Sequence, residues 1–163
     1  MDNLSKSFLT NIDIVQICKT LGIKLNSVLS NDELNESMLK YNFAVILNLE
    51  NENQSGSHWT GLVNDASQKR MYYCDSYGMP PTERIYNMFL KHNYEMFLNT
   101  KQFQSNSSEL CGWYAMVFIV YLQKGKYKIN QMDSFIKLWN LKDLNLNDKT
   151  VKQIFSKLFQ QKK

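Results

Sequence analysis

Residues 102–120, QFQSNSSELCGWYAMVFIV, run from a polar, serine-rich loop straight into an apolar helix, and Cys111 lies at the junction. The unpaired backbone N–H groups and the positive end of the dipole at a helix N-terminus favour an anion, and thus the reactive thiolate form of a thiol. Gly112 follows, so no side chain crowds the sulfur. The stretch indicates either a nucleophilic cysteine or a small core cysteine at the start of a buried helix.

The overall composition is that of one globular domain. A length of 163 residues fits a single domain, and 44% hydrophobic with 21% charged residues is typical of a folded chain. Residues 1–21 carry no signal-peptide pattern, and the longest apolar run, 113–122, is too short to cross a bilayer. We therefore expect a single soluble domain over residues 1–163.

The three cysteines, Cys18, Cys74 and Cys111, are widely spaced, odd in number and without a CxxC pair. Together with only two histidines, this pattern argues against a disulfide framework and against a zinc site, and it predicts no cofactor. The net charge of +4 permits a contact with nucleic acid without requiring one.

The secondary structure follows from hydrophobic period and capping signals. Thr10, Asp13 and Gly22 predict a capped first helix that ends at Leu21. The predicted helices are residues 10–21, 82–92, 111–125, 130–139 and 148–161. The predicted strands are residues 41–49, 57–64, 69–75 and 94–99. Residues 26–40 are expected to be irregular, with a short helix from residue 31. The pattern predicts an α+β fold, a small central sheet covered by helices.

A cysteine nucleophile requires a base, a group that orients the base, and donors for the oxyanion. His92 follows Lys91 at a predicted helix end, where a solvated histidine interacts with the helix dipole. His58 opens a strand beside Trp59, which is a rigid mount at a loop-lined edge. His58 is therefore the candidate base.

Asp75 is the candidate orienting group. If the hairpin closes through the turn DASQ, Asn64 pairs with Lys69, and His58 then lies opposite Asp75. Because side chains alternate along a strand, Cys74 would then face the core. The alternative is that Asp75 serves only as an Asx-type turn residue.

Gln104, seven residues before Cys111, is the candidate oxyanion donor. Its amide can donate together with the backbone N–H of Cys111. Gln102 points the same way if the chain is extended, and either glutamine could instead be a solvated loop residue. We favour Gln104.

These residues give the chain a resemblance to the adenovirus-type cysteine proteases, closest to the forms in virophages and Maverick/Polinton elements. The stretches that carry it are GSHWTGLV, YYCDSYGMPP and QFQSNSSELCGWYAMVF, and more weakly LTNIDIVQICKTLGI and YNFAVILNLEN. The SUMO-deconjugating proteases share the same order of His, Asp, Gln and Cys. The resemblance covers most of the chain and implies the cysteine-protease fold, with the nucleophile at the N-terminus of a buried helix.

The resemblance assigns a role to each matching position. Cys111 matches the nucleophile, His58 the base and Gln104 the oxyanion donor. Asp75 matches the acidic orienting group, which is a glutamate in the adenovirus enzyme and an aspartate in the SUMO proteases. No position matches the cysteine through which the adenovirus enzyme links its activating peptide.

The resemblance implies a cysteine endopeptidase that cleaves viral capsid precursor proteins near glycine. The expected setting is the virion and the host cell cytoplasm, with a monomer that contacts DNA at most weakly and binds no membrane. Trp59 and Trp113 are expected to wall a narrow channel beside the reacting centre. The alternatives are a protease that removes a ubiquitin-like modifier such as SUMO, and a non-catalytic basic protein associated with capsid or DNA.

Overall fold

The computed structural model describes residues 5–50 and 58–162 of the chain, which form one five-stranded sheet with helices on both faces. The strands are β1 (Ser27–Ser30), β2 (Phe43–Asn48), β3 (Trp59–Asp65), β4 (Arg70–Cys74) and β5 (Glu95–Leu98). The helices are α1 (Asn11–Leu21), a 3-10 helix (Glu36–Lys40), α2 (Glu83–Lys91), α3 (Cys111–Gly125), α4 (Gln131–Ile136) and α5 (Leu144–Gln160). The predicted α+β architecture is confirmed.

The sheet has the strand order β1-β2-β3-β4-β5, so β3 lies in the middle. β2, β3 and β4 are antiparallel, whereas each edge strand runs parallel to its neighbour. The β3–β4 hairpin thus lies at the centre, and its open end carries His58 and Asp75.

Helix α3 covers one face of the sheet and is buried on nearly all sides, as an apolar helix without a polar face must be. It packs with α1, α4 and α5 into the larger core, while α2 and the 3-10 helix cover the opposite face. In the part of the chain that the structure describes, no helix combines the length and apolar character that a bilayer crossing needs.

Helix α1 ends where its capping residues predict. The Thr10 hydroxyl accepts from the Asp13 N–H at 3.2 Å, and the Asp13 carboxylate accepts from the Thr10 N–H at 3.0 Å. Gly22 has φ of 71°, a left-handed conformation that glycine adopts without steric cost.

Four predicted segments differ from the structure. Residues 27–30 form edge strand β1 instead of irregular chain, because a non-local parallel pairing with β2 stabilises them. The short helix is the 3-10 helix Glu36–Lys40, and α4 ends at Ile136, before the predicted limit. Helix α5 begins at Leu144, earlier than predicted, because the Asp143 carboxylate caps it through the Leu146 N–H. Residues 51–57, the predicted polar loop and the first residue of the next predicted strand, lie outside the described residues.

The predicted hairpin register is wrong by two residues. Asn64 pairs with Met71 and Asp65 with Arg70, so the predicted pair of Asn64 with Lys69 does not form. Because side chains alternate with a period of two, this shift leaves every side chain on its predicted face. Cys74 is accordingly buried in the larger core, as expected.

Candidate active site

Asp75 directly follows β4 and its side chain is completely buried. Its Oδ1 accepts from the Tyr77 N–H at 2.7 Å, which is an Asx turn, and the Gly78 N–H donates to its backbone carbonyl at 2.8 Å. The Asn99 amide bonds both backbone groups of Asp75 from the loop after β5. The turn therefore fixes the carboxylate in one orientation.

His58 meets this carboxylate directly. Its Nε2 lies 2.9 Å from Oδ1 of Asp75, at ion-pair distance, although the N–H of Nε2 is not aligned for a hydrogen bond. The Cys111 side chain forms a hydrogen bond with the same imidazole. The structure thus brings the predicted nucleophile, base and orienting group into contact.

The electrostatics of this cluster favour a protonated imidazole. Burial is the largest influence on His58 and lowers its pKa, but Asp75 and Cys111 together outweigh it and raise the pKa from 6.5 to about 9. An imidazolium beside the sulfur stabilises a thiolate by charge attraction.

Cys111 is the first residue of α3, and its side chain is almost buried, with 6% exposure. Leu9 and Trp59 pack closely on the neighbouring Gly112: a Cβ there would lie 3.3 Å from carbon atoms of both side chains. The Trp59 indole donates to the Leu9 carbonyl at 2.8 Å and so holds the N-terminal segment beside the thiol.

The prediction that Trp59 and Trp113 together wall a channel is wrong for Trp113, which lies in the core. This indole has 3% exposure, packs on Phe155 at 4.6 Å between ring centroids, and donates to the Lys6 carbonyl. Because the sequence pattern shows only that both indoles neighbour the site, it does not reveal that Trp113 belongs to the core.

Gln104 is completely buried. The Ser76 hydroxyl donates to its Oε1, while its Nε2 donates to the Ser108 carbonyl at 2.8 Å and to the Tyr77 hydroxyl at 3.2 Å. A flipped amide would place two carbonyl oxygens together at Ser108, so this network fixes which end of the amide donates.

The two candidate glutamines differ sharply in placement. Gln102 donates to the Gln104 carbonyl at 2.9 Å and to the Asn106 side chain at 2.6 Å, and so ties the loop to itself. Gln104 instead reaches the cluster of Cys111, His58 and Asp75 through Tyr77, whose ring centroid is 5.0 Å from that of His58.

The turn Asp75–Ser76–Tyr77 links all of these groups. The sequence analysis identified Asp75 but did not identify Ser76 or Tyr77 as part of the site. The Ser76 carbonyl accepts from the N–H groups of Phe103 and Gln104, at 3.0 and 3.1 Å. Burial, and negative charge at Cys111, raise the pKa of Tyr77, so its hydroxyl remains a neutral hydrogen-bonding group. The signal available in the sequence was the turn motif DSYG itself, which predicts a compact turn beside the candidate aspartate.

Within the described residues, no group of three or more His, Cys, Asp or Glu side chains lies together as metal ligands would. The chemistry that the arrangement offers is nucleophilic: a thiol, a positively charged imidazole and a fixed amide donor.

In comparisons with known proteins, no family model matches the chain. The chain is 30% identical over 124 residues to a protein named "Putative thiol protease R355" from Acanthamoeba polyphaga mimivirus. The alignment covers 70% of this chain but 38% of the relative, so the chain spans well under half of that protein's length.

Two solved structures share the fold. The structure of the SUMO protease Ulp1 with its catalytic cysteine oxidized to a sulfinic acid is 14% identical with a TM-score of 0.54, over 98% of this chain and 81% of the chain in that structure. The central domain of the uncharacterized Lpg1148 protein from Legionella pneumophila is 12% identical with a TM-score of 0.52, over 96% of this chain and 98% of that domain. The chain thus has the Ulp1-type fold.

Together, the viral relative and the shared fold support a cysteine protease. The catalytic roles of Cys111, His58, Asp75 and Gln104, and a closer affinity to virophage or Maverick/Polinton enzymes, stay predictions.

Proposed function

We propose that this chain is a cysteine endopeptidase that cleaves viral capsid precursor proteins beside glycine during virion maturation. The observation that carries the proposal is the contact of both the Cys111 thiol and the Asp75 carboxylate with the His58 imidazole. The named viral relative supports a thiol protease, and a capsid substrate is the viral setting that the sequence resemblance implies.

In the proposed reaction, the Cys111 thiolate attacks the scissile carbonyl carbon while His58 holds the proton taken from the thiol. The imidazolium then gives this proton to the leaving amine, which departs and leaves a thioester on Cys111. His58 next removes a proton from water, which attacks the thioester and releases the acid product with regeneration of the thiol. Asp75 orients the ring and stabilises its charged form.

The oxyanion of each tetrahedral intermediate would accept hydrogen bonds from the Cys111 backbone N–H and the Gln104 amide. Nε2 of Gln104 makes two hydrogen bonds. The bond to the Tyr77 hydroxyl is the longer, at 3.2 Å, against 2.8 Å for the bond to the Ser108 carbonyl. We expect the substrate oxygen to take over this N–H from Tyr77.

The preference for glycine is the one that the sequence resemblance implies. A substrate backbone without Cβ would need the least room beside the Cys111 thiol.

The partners and location follow from the same proposal. The substrates are capsid precursors, the protein acts as a monomer in the virion and the host cytoplasm, and it binds no membrane. The net charge of +4 permits a weak contact with DNA.

A second candidate is a protease that removes a ubiquitin-like modifier. The specific observation in its favour is the Ulp1-type fold over 98% of the chain. The same thiol and imidazole chemistry would serve either substrate.

The test incubates the chain with capsid precursors of the virus or element that encodes it and sequences the new termini. Cleavage that is lost in Cys111→Ala and follows glycine supports the proposal. SUMO and ubiquitin vinyl sulfone probes run in parallel. Rapid adduct formation with a probe, without precursor cleavage, would favour the modifier protease instead.

A further inference from the structure

The segment that carries Gln104 has no place in the sheet or in a helix. Residues 103–105 are buried loop, and the N–H groups of Phe103 and Gln104 hold one side of this loop by donating to the Ser76 carbonyl. A buried loop must satisfy its polar groups elsewhere, and here the partners come from α3 and from α5, which lies far along the chain.

Two consecutive residues of α5 bond the two residues that flank Gln104. The Asn147 amide, almost fully buried, donates to the Phe103 carbonyl at 2.9 Å. The Asp148 carboxylate accepts from the Ser105 hydroxyl at 2.7 Å through Oδ2.

The second oxygen of Asp148 reaches the helix of the candidate nucleophile. Its Oδ1 accepts from the Tyr114 hydroxyl at 2.7 Å, and Tyr114 lies one turn after Cys111 in α3. Hydrogen bonds to a carboxylate are stronger than those between neutral groups, and both here have short, favourable lengths. One half-buried side chain therefore joins the Gln104 loop to α3, alongside the longer contact of the Tyr114 hydroxyl with the Phe103 carbonyl at 3.3 Å.

We propose that Asp148 is a positioning residue that sets the place of the Gln104 amide relative to the Cys111 backbone N–H. The two oxyanion donors belong to separate segments, the Gln104 loop and α3. The Asp148 carboxylate bonds to both segments, through Ser105 in the loop and Tyr114 in α3. Displacement of a catalytic donor by about 1 Å is enough to cost on the order of a hundredfold in rate. This inference rests on the proposed cysteine-protease function.

The first test measures the hydrogen exchange of the loop amides directly and needs no substrate. In Asp148→Asn, the charge is lost while the shape is kept, so one carboxylate acceptor becomes an amide donor. We expect hydrogen exchange at the N–H groups of Phe103 and Gln104 to accelerate at least tenfold, while the interior amides of α3 keep their protection. Unchanged protection at residues 103–105 would overturn the inference.

The matched control is Asp143→Ala. Asp143 caps the N-terminus of the same helix, α5, by accepting from the Leu146 N–H at 3.1 Å. This change destabilises α5 without touching the loop. We expect a lower Tm with loop exchange and kcat close to the wild type. Loop exchange that accelerates as much as in Asp148→Asn would mean that Asp148 merely stabilises α5.

The second test is a kinetic double-mutant cycle on a precursor peptide. Asp148→Asn should lower kcat about tenfold with KM within about twofold, and Gln104→Ala should lower kcat about 10²–10³-fold. If Asp148 acts through Gln104, the double variant is no slower than Gln104→Ala alone. Losses that multiply in the double variant would refute the positioning role.

The failure of this inference is distinguishable from that of the proposed function. Alkylation of Cys111 by iodoacetamide develops no oxyanion, so Asp148→Asn should leave its rate unchanged. A parallel fall in alkylation would mean that Asp148 supports the thiol and not Gln104. Peptide cleavage that survives Cys111→Ala would sink the proposed function, whereas the exchange result would stand.

Discussion

The charge of Asp75 is open to a direct test because Asp75→Asn keeps the shape of the side chain and removes its charge. An asparagine oxygen can still accept the Tyr77 N–H, so the Asx turn survives. What disappears is the carboxylate 2.9 Å from Nε2 of His58. Burial, the largest influence on His58, then lowers its pKa with only Cys111 to oppose it.

The size of the effect follows from the pKa of His58. With a pKa of about 9, the imidazole is roughly 97% protonated at pH 7.5, and with the ordinary 6.5 it is roughly 10% protonated. A return toward 6.5 therefore costs about tenfold in the population of the imidazolium form at that pH. The loss of ring orientation adds to this, so tenfold is a lower bound for the fall in kcat/KM.

The assay is the pH dependence of kcat/KM for a precursor peptide, between about pH 5 and about pH 10. The wild type should lose activity on the basic side near pH 9, and Asp75→Asn should lose it at lower pH, toward 6.5. Asp65→Asn is the control, since this aspartate accepts hydrogen bonds in the turn at the other end of the hairpin. An unmoved basic limb in Asp75→Asn would refute the role of the charge.

The same pair makes a contribution to stability with a defined sign. Because the folded pKa of His58 is raised, its interaction with Asp75 stabilises the fold fully below about pH 6.5 and is lost as pH rises through about 9. Urea unfolding of wild type and Asp75→Asn at both ends of this range measures it without any substrate. A stability difference that is as large above pH 9 as below 6.5 would contradict the ion pair.

Two further predictions concern the cysteines and the histidines. Iodoacetamide should label Cys111 first, because burial raises the pKa of Cys18 to about 12 and that of Cys74 well above its ordinary value. Peptide mapping that finds Cys74 labelled first would move the nucleophile. His58→Ala should lower kcat by about 10²–10⁴-fold. His92→Ala should be nearly silent, because His92 is a partly exposed residue at the end of α2 and faces Glu36. Equal losses would reject His58 as the base.

Local signals predicted most of the fold. The capping box of α1, the apolar period of α2 and the continuous apolar run of α3 depend on residues close together in the chain, and such patterns are visible in a single sequence. Strand β1 was missed because its four residues are stabilised by pairing with β2, which lies well beyond them in the chain. The early start of α5 was missed because residues 143–147 alternate polar and apolar side chains, a period that is not helical.

The candidate site shows the same division. The hairpin predicted that His58 and Asp75 share a face, and an error of two residues in register did no harm to that prediction. The roles of Tyr77 and Asp148 could not be predicted, because each depends on a contact with a loop or helix about 30 residues or more away in sequence. Their residue types carry no distinctive spacing to the cysteine.

The two sequence interpretations of Asp75, turn residue and orienting group, are not alternatives in the structure. Its Oδ1 both accepts the Tyr77 N–H and faces the His58 ring. An asparagine would serve the Asx turn equally well, and burial of a carboxylate is costly unless a positive group offsets it. What aspartate adds at this position is therefore its charge, and the titratable ring beside that charge is His58. The cost of burial thus argues for a charged partner, which is why the loss of charge, and not of shape, is the decisive perturbation.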